Sequence, residues 1–358
     1  MTELINRRPT RTISVGGVKI GSGYPISIQS MCNTKTADIE ATLAQLHALA
    51  AAGAQLGRLA VPDTAAAEAL TTLVPQSPLP LIADIHFDYR LALAAIKAGV
   101  AGLRINPGNI GAPERVQMVA QAAQAAGIPI RIGVNAGSVR PEQWQQFSSR
   151  PEAMAQLALQ QANMLEEAGL SAIKISLKSS NIPEMVAAYR RIAQLCDYPL
   201  HIGATEAGTF FRGSLKNAMG IGTLLLEGIG DTIRVSLTDD PVREVEVAKE
   251  ILMMLGLRRS GWQFVSCPTC GRTEIDLIAL AQKVEETLAA YEPQRPLTVA
   301  VMGCAVNGPG EAADADLGVA GGKNGGLLFV HGEKKGFYPE AELLQRLLAE
   351  AKRLMDNP

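Results

Sequence analysis

Between residues 26 and 237 the chain repeats one pattern: a short run of β-branched and aliphatic residues, then a longer Ala-rich stretch of helical character. The short runs read as strands at 26–31, 55–61, 79–86, 102–107, 129–135, 171–178, 199–206 and 232–237. The stretches between and after them read as helices at 38–52, 64–73, 89–98, 113–126, 151–168, 183–195, 214–226 and 241–255. Gly53, Gly99, Gly127, Gly169, Gly228 and Gly256 stand where helices should stop, and Pro113, Pro151, Pro183 and Pro241 where a first-turn proline is tolerated. Eight strand–helix units in alternation predict a (β/α)8 TIM barrel. An open doubly wound sheet would not require that count, and no GxGxxG follows the first strand. The repeat ends near residue 257, which predicts a barrel over 1–257 and a smaller α+β domain over 258–358.

A barrel places reactive groups at the C-terminal ends of its strands. Alternation along each strand sets Asp84 with His86, Arg104 with Asn106, Arg131 with Asn135, Lys174 with Ser176 and Lys178, and Arg234 with Ser236. Arg58 and Glu206 lie at or near two further strand ends. Other inward positions should be apolar, because barrel strands are buried on both faces. Arg58, Arg104, Arg131, Lys178 and Arg234 then surround one cavity with few acids, an arrangement suited to a phosphate or diphosphate gripped by bidentate guanidinium contacts. Glu206 reads as a general acid or as a counter-ion to Lys178 or Arg234. His86 reads as a hydrogen-bonded core histidine or as a substrate contact. Asn106, Asn135 and Ser236 would orient polar oxygens or cap loops. Cys32 reads as an isolated small thiol near the mouth, and Cys196 as core filler late in a helix.

Composition adds limits. Hydrophobic residues make up 47% of the chain and aromatic residues only 4%, so the core should be built from Ala, Val, Ile and Leu. A net charge of −2 gives no electrostatic reason to expect nucleic acid or a membrane surface as partner. No apolar run reaches the ~18 residues of a membrane span. The N-terminal residues lack the apolar stretch of a signal peptide, and five scattered cysteines point to a reducing compartment, the cytoplasm.

The C-terminal third carries the sharpest chemical signal. Cys267-Pro-Thr-Cys270 is followed by Cys304 and Glu311 within Gly303-Cys-Ala-Val-Asn-Gly-Pro-Gly-Glu311. Three thiolates suit three irons of a cubane cluster and leave one corner for a harder ligand or substrate. A structural zinc site of three Cys and His331 remains open on spacing alone, as does a redox dithiol. The Gly-rich stretch 318–326 resembles a phosphate loop only weakly, since no Lys-Ser/Thr follows it.

Taken in order, Ala83-Asp-Ile-His-Phe-Asp-Tyr-Arg90, Leu103-Arg-Ile-Asn-Pro-Gly-Asn109, Arg131-Ile-Gly-Val-Asn-Ala-Gly-Ser138, Thr205-Glu-Ala-Gly208, Glu227-Gly-Ile-Gly-Asp-Thr-Ile-Arg-Val-Ser236 and the two cysteine motifs resemble the 4-hydroxy-3-methylbut-2-enyl diphosphate synthase family over nearly the whole chain. The resemblance implies reductive ring opening and dehydroxylation of 2-C-methyl-D-erythritol 2,4-cyclodiphosphate in isoprenoid precursor synthesis. It implies a [4Fe–4S] cluster fed one electron at a time by reduced flavodoxin or ferredoxin. Carried over residue by residue, Cys267, Cys270, Cys304 and Glu311 hold the cluster, with Glu311 replaceable by a substrate oxygen. Arg58, Arg104, Arg131, Lys178, Arg234 and Ser236 hold the diphosphate, Asn135 helps to position substrate, and Glu206 donates a proton. Cys32 departs from the Thr of many relatives. The alternative is a non-redox barrel aldolase or isomerase of a phosphorylated substrate with a C-terminal zinc module.

Only residues 256–262 separate the last barrel helix from the cysteine region, which leaves no room for the inserted third domain of the family's larger form. That helix should run ~20 Å back from the mouth to the opposite face. A head-to-tail homodimer, with each cluster domain over the partner's barrel, is therefore expected.

Overall fold

The computed structural model of the chain describes residues 5–139, 141–258 and 260–356. It divides between Ile251 and Leu252 into two compact units. The first runs β1 (Ile13–Val15), β2 (Val18–Ile20), β3 (Ser27–Met31), α1 (Ile39–Ala52), β4 (Leu56–Ala60), α2 (Thr64–Gln76), β5 (Leu81–Asp84), α3 (Tyr89–Lys97), β6 (Gly102–Ile105), α4 (Pro107–Ile110), α5 (Pro113–Ala126), β7 (Ile130–Asn135), α6 (Pro141–Trp144), α7 (Arg150–Glu167), β8 (Ile173–Lys178), α8 (Ile182–Leu195), β9 (His201–Ile202), α9 (Phe210–Leu226), β10 (Thr232–Ile233) and α10 (Pro241–Met254). Strands β3 to β10 form one parallel eight-stranded sheet. A parallel bridge between Ile175 and Leu200 joins its two end strands, giving the TIM barrel.

Local chemistry explains why the elements sit where the sequence puts them. Asp38, Asp63, Asp88, Ser149 and Asn181 each accept a hydrogen bond from a first-turn backbone N–H and so start α1, α2, α3, α7 and α8. Gly53 and Gly127 close α1 and α5 at φ +105° and +67°, a conformation that costs other residues a clash at Cβ. Strands β9 and β10 are only two residues long, shorter than the alternation suggests, and α9 begins at Phe210 rather than 214.

The hairpin β1–β2 precedes the first predicted strand. Gly16-Gly17, both at positive φ, turn it, and Ile13, Val15 and Ile20 pack on Leu56 and Ile82 at the starts of β4 and β5. It thus closes the N-terminal end of the barrel. Ile28, Leu59, Leu103, Ile132, Ile173, Ile175, Ile202 and Ile233 are buried in the strands, each worth about 1.5–3 kcal/mol of burial.

The intervening strand positions correct the expected apolar interior. Ser27 and Gln29 on β3, Lys174 and Ser176 on β8, His201 on β9 and Thr232 on β10 are all buried. Polar groups therefore reach well below the mouth. Of these, Ser176 accepts a hydrogen bond from Arg131, while Ser27 Oγ, the Gln29 amide and Lys174 Nζ have no protein partner.

The second unit runs β11 (Gly261–Ser266), α11 (Leu277–Leu288), β12 (Pro296–Met302), α12 (Gly308–Asp314), β13 (Leu317–Gly322), β14 (Gly325–Val330), β15 (Glu333–Pro339) and α13 (Glu340–Asp356). Its sheet has the order β11-β12-β13-β14-β15, with the first three strands parallel and the last two antiparallel. Alternation along β12 divides the packing: Leu297, Val299 and Val301 meet α11 and α13, while Ala300 and Met302 meet α12. The Gly-rich stretch 318–326 is part of the β13–β14 hairpin, not a phosphate loop.

Candidate active site

In the first unit, the pairing register lines Asp84, Arg104, Arg131 and Lys174 into one row across β5, β6, β7 and β8. Arg58 joins from β4, Lys178 ends β8, and Arg234 follows β10. Arg58, Arg104, Arg131 and Lys178 are buried and Arg234 is half-buried. Arg58, Arg104, Lys178 and Arg234 thus sit within two residues of the C-terminal end of a barrel strand, whereas Arg131 is the second residue of β7 and lies deeper.

Two carboxylates set the geometry, one of them Asp84, which strand parity places with His86, and the other absent from the sequence expectations. Asp84 lies 3.1 Å from Arg104 Nη1 and 3.5 Å from Arg58 Nε. Burial pushes its carboxyl up, but Arg58, Arg104 and Arg131 outweigh burial and hold it below the ordinary value. Glu244, in the first turn of α10, is the second. Its Oε1 lies 3.2 Å from Arg234 Nη2 and accepts from Leu237 N at 2.9 Å, while its Oε2 accepts from Ser30 Oγ at 3.4 Å. Glu244, not Glu206, is therefore the counter-ion of Arg234. The sequence signal was present in an acidic residue one turn into the helix after the eighth strand, but its reach to two strands was not.

Five basic side chains face two carboxylates, so bases outnumber acids around the cavity. Burial, then crowding by Arg234, Arg58, Arg131 and Arg104, drives the Lys178 ammonium well below its usual range. Burial and the neighbouring guanidiniums of Arg58 and Arg104 act likewise on Arg131, whose Nη1 donates to Ser176 Oγ at 3.2 Å. The Nε atoms of Arg104, Arg131 and Arg234 and the Ser236 hydroxyl are buried without a protein partner. Donors and charge left over in this way define an anion site. Gly133 makes room for it: a Cβ there would stand 2.8 Å from Arg104 Nε.

The remaining predicted residues divide. His86 is exposed, with Nε2 2.9 Å from Arg104 Nη1 and Nδ1 3.9 Å from Asp84, so it is no core histidine. Asn106 caps α4 by accepting from Gly108 N at 3.1 Å. Asn135 is half-buried at the end of β7. Glu206 is exposed in a left-handed conformation at φ +52°. Cys32 is buried after β3, and burial pushes its thiol up to about 12. Cys196 caps α8, and its thiol donates to Ile192 O, so it is a half-buried helix end and not core.

In the second unit, β11 and β12 pair in parallel with Ser266 beside Val301, so Cys267 and Cys304 leave the sheet at the same edge. Gly303 N donates to Cys267 Sγ at 3.2 Å. Gly303 and Gly321 permit this close stacking, since a Cβ on Gly321 would lie 2.7 Å from Gly303 O. The N–H groups of Asn307, Val306 and Gly308 hold the Cys304 thiol below its ordinary value, and Arg272 acts on both Cys270 and Cys304. Glu311 is exposed in the first turn of α12. All five cysteines are free. Among the described residues no three His, Cys, Asp or Glu side chains gather at the spacing of a single metal ion. His331 instead faces Asp316 at 3.6 Å, which removes the expected fourth ligand of a zinc site.

A polar barrel with a cationic mouth and a second unit presenting three free thiols are the two sets of reactive groups in this chain. Residues 10–249 match the GcpE TIM-barrel domain and residues 263–353 the GcpE protein C-terminal domain. The chain belongs to the GcpE family. It is 56% identical, over 97% of its length and 98% of the relative's, to the 4-hydroxy-3-methylbut-2-en-1-yl diphosphate synthase (flavodoxin) of Geobacter sulfurreducens. Proteins of the same name from Clostridium perfringens and Geobacillus kaustophilus are 51% and 49% identical, over 96% and 100% of this chain and 98% and 95% of theirs. Among solved structures, a sialic acid synthetase from Leptospira borgpetersenii shares the barrel fold at 13% identity and a TM-score of 0.50, covering 70% of this chain and 92% of its own.

Proposed function

We propose that this chain reductively opens 2-C-methyl-D-erythritol 2,4-cyclodiphosphate to 4-hydroxy-3-methylbut-2-enyl diphosphate, with flavodoxin as electron donor. The names carried by its relatives support this reading, and the excess of buried basic side chains in the barrel is the observation that carries it. Two electrons and one proton convert the cyclic dianion to the linear trianion and release one water.

Arg58, Arg104, Arg131, Lys178 and Arg234 hold the two phosphates, and the buried donors without protein partners are available to their oxygens. Asp84 and Glu244 fix the guanidiniums beforehand, so little reorganisation is needed when substrate arrives. Ser236, Asn135 and Asn106 orient the carbon skeleton and its hydroxyls. His86 contacts substrate at the rim beside Arg104. Glu206, exposed at its turn, supplies the proton that leaves as water.

Cys267, Cys270 and Cys304 fit a [4Fe–4S] cluster: all three thiols are free, two are held toward the thiolate form, and backbone N–H groups face Cys267 and Cys304. Glu311 would add an oxygen ligand to these three thiolates. Such a cluster, when bound, would supply single electrons from the donor to the substrate.

A head-to-tail homodimer, joining each C-terminal unit to the partner's barrel, completes the site. Mixing Cys270→Ala chains with Arg131→Ala chains should restore about a quarter of wild-type activity, since half of the dimers would hold one intact site of two. No recovery would mean that each chain works alone. Soluble enzyme activity and cytoplasmic residence go together in this reading, and no described helix is long and apolar enough to cross a membrane.

Anaerobic purification with iron and sulfide analysis, then turnover of the cyclic diphosphate with reduced flavodoxin, tests the function. A colourless protein that carries zinc and leaves the cyclic diphosphate unchanged would support the aldolase or isomerase alternative instead.

A further inference from the structure

Beneath the cations that face the substrate lies one that the proposed chemistry does not use. Lys174 is buried on β8, in register with Arg131 of β7. Its Nζ has no hydrogen-bond partner. The charged and titratable groups around it are Arg131 from β7, Arg58 from β4, His201 from β9 and Asp231 before β10. Only Asp231 is acidic, and its oxygens are engaged elsewhere. Oδ1 takes Arg7 Nη2 at 2.8 Å and Thr10 Oγ1 at 3.0 Å, and Oδ2 takes Leu200 N at 2.9 Å. An ammonium in that position is shielded from bulk solvent, faces two guanidiniums and has no free carboxylate among the described residues.

We propose that binding of the cyclic diphosphate draws a proton from solvent onto Lys174, which is a neutral amine in the free protein and becomes a buried counter-charge under the bound anion. The inference rests on the diphosphate reading above and deepens it. No electrons change hands in this step: the proton adds to the Nζ lone pair, and no other bond breaks. Burial first, then Arg131, pushes the Lys174 amine down to about 7, so it is mostly uncharged at pH 8. A negative charge brought to about 6 Å would raise it by roughly two pK units at an effective dielectric of ~20. The ligand cannot mask the effect, because both phosphates of the cyclic diester are fully ionised near neutrality and have no proton to release. His201 is neutral in the free protein, since burial and the surrounding cations hold it well below the usual histidine range.

The test is calorimetric titration of the oxidised holoprotein with 2-C-methyl-D-erythritol 2,4-cyclodiphosphate, without reductant, in buffers of different ionisation enthalpy. Wild type should take up about one more proton per site than Lys174→Met at pH 8, and the difference should vanish near pH 6, where Lys174 is already charged. Lys174→Arg, charged at every pH, should also lack the extra proton, which separates loss of a titrating group from loss of a charge. Equal uptake in wild type and both variants at pH 8 would overturn the inference and leave the diphosphate reading intact. Absence of any binding heat in every buffer would overturn both. A wild-type uptake of the same size at pH 6 and pH 8 would assign the proton to another group and also overturn the inference.

Discussion

The barrel interior and the cysteine edge of the second unit solve the problem of presenting reactive groups in opposite ways. In the barrel the charges are buried on strands, held by Asp84 and Glu244, and aligned by the sheet register before any ligand arrives. At the cysteine edge Cys270 and Glu311 are exposed on a turn and a short helix, and Cys267, Cys270 and Cys304 each face a backbone amide. The first arrangement belongs to the fold itself, and in the proposed reading a bound diphosphate would relieve its crowded positive charge. The second is half-built by the chain, and binding of a metal cluster would contribute to its folding.

Removing one cysteine should have the largest effect. Cys304→Ala is expected to lower activity by at least about a thousandfold and to abolish absorbance near 400 nm, because it strips one of only three thiolates. Calorimetric affinity of the barrel for the cyclic diphosphate should stay within about threefold. Retained colour and activity would end the cluster assignment.

Arg131→Met should separate the two regions further by moving stability and binding in opposite directions. The guanidinium is buried with a hydroxyl as its hydrogen-bond acceptor, so an apolar replacement should raise the thermal midpoint. Loss of the charge should weaken binding of the cyclic diphosphate by about 2–5 kcal/mol. A variant that loses stability as well would show Arg131 to be a structural ion.

Glu244→Ala leaves Arg234 without its carboxylate and is expected to cost about 1–3 kcal/mol of stability and to raise KM about tenfold. Glu244→Gln, which keeps the contacts to Leu237 and Ser30, should recover much of the stability but less of the KM. Identical KM values for the two variants would remove the electrostatic role. Gly133→Ala should act more mildly, raising KM a few-fold by pushing the Arg104 guanidinium away from Asp84, with iron content unchanged.

The smallest effect concerns pH. The folded chain holds the Lys174 proton less readily than the unfolded chain, so unfolding takes up a proton between pH 7 and about 10.5. Stability should therefore climb with pH over that window, and the slope should flatten in Lys174→Met. Denaturant midpoints at pH 7, 8 and 9 measure it, and parallel slopes would contradict a neutral Lys174.

Much of the barrel was legible because its signals are local. Asp38, Asp63 and Gly53 announce helix ends through their own backbone chemistry, and aliphatic alternation marks each strand. The hairpin at 13–20 was readable from Gly16-Gly17 between alternating residues, but a three-residue strand is too short to stand out from its flanks. The site was half legible. Arg58, Arg104, Arg131, Lys178 and Arg234 could be placed by strand parity alone. Glu244 could not, because its partners lie on β10 and β3 and the link exists only once the barrel closes.

By itself the sequence determined the eight-unit repeat, the set of cations at strand ends and the three thiols, since each depends on residue type and spacing along the chain. Only the tertiary structure decided that the barrel stays polar well below its mouth, that His86 stands at the rim rather than in the core, and that Cys267 and Cys304 share one sheet edge. These depend on which strands become neighbours, and a ring that closes between residues 175 and 200 brings together groups far apart in sequence.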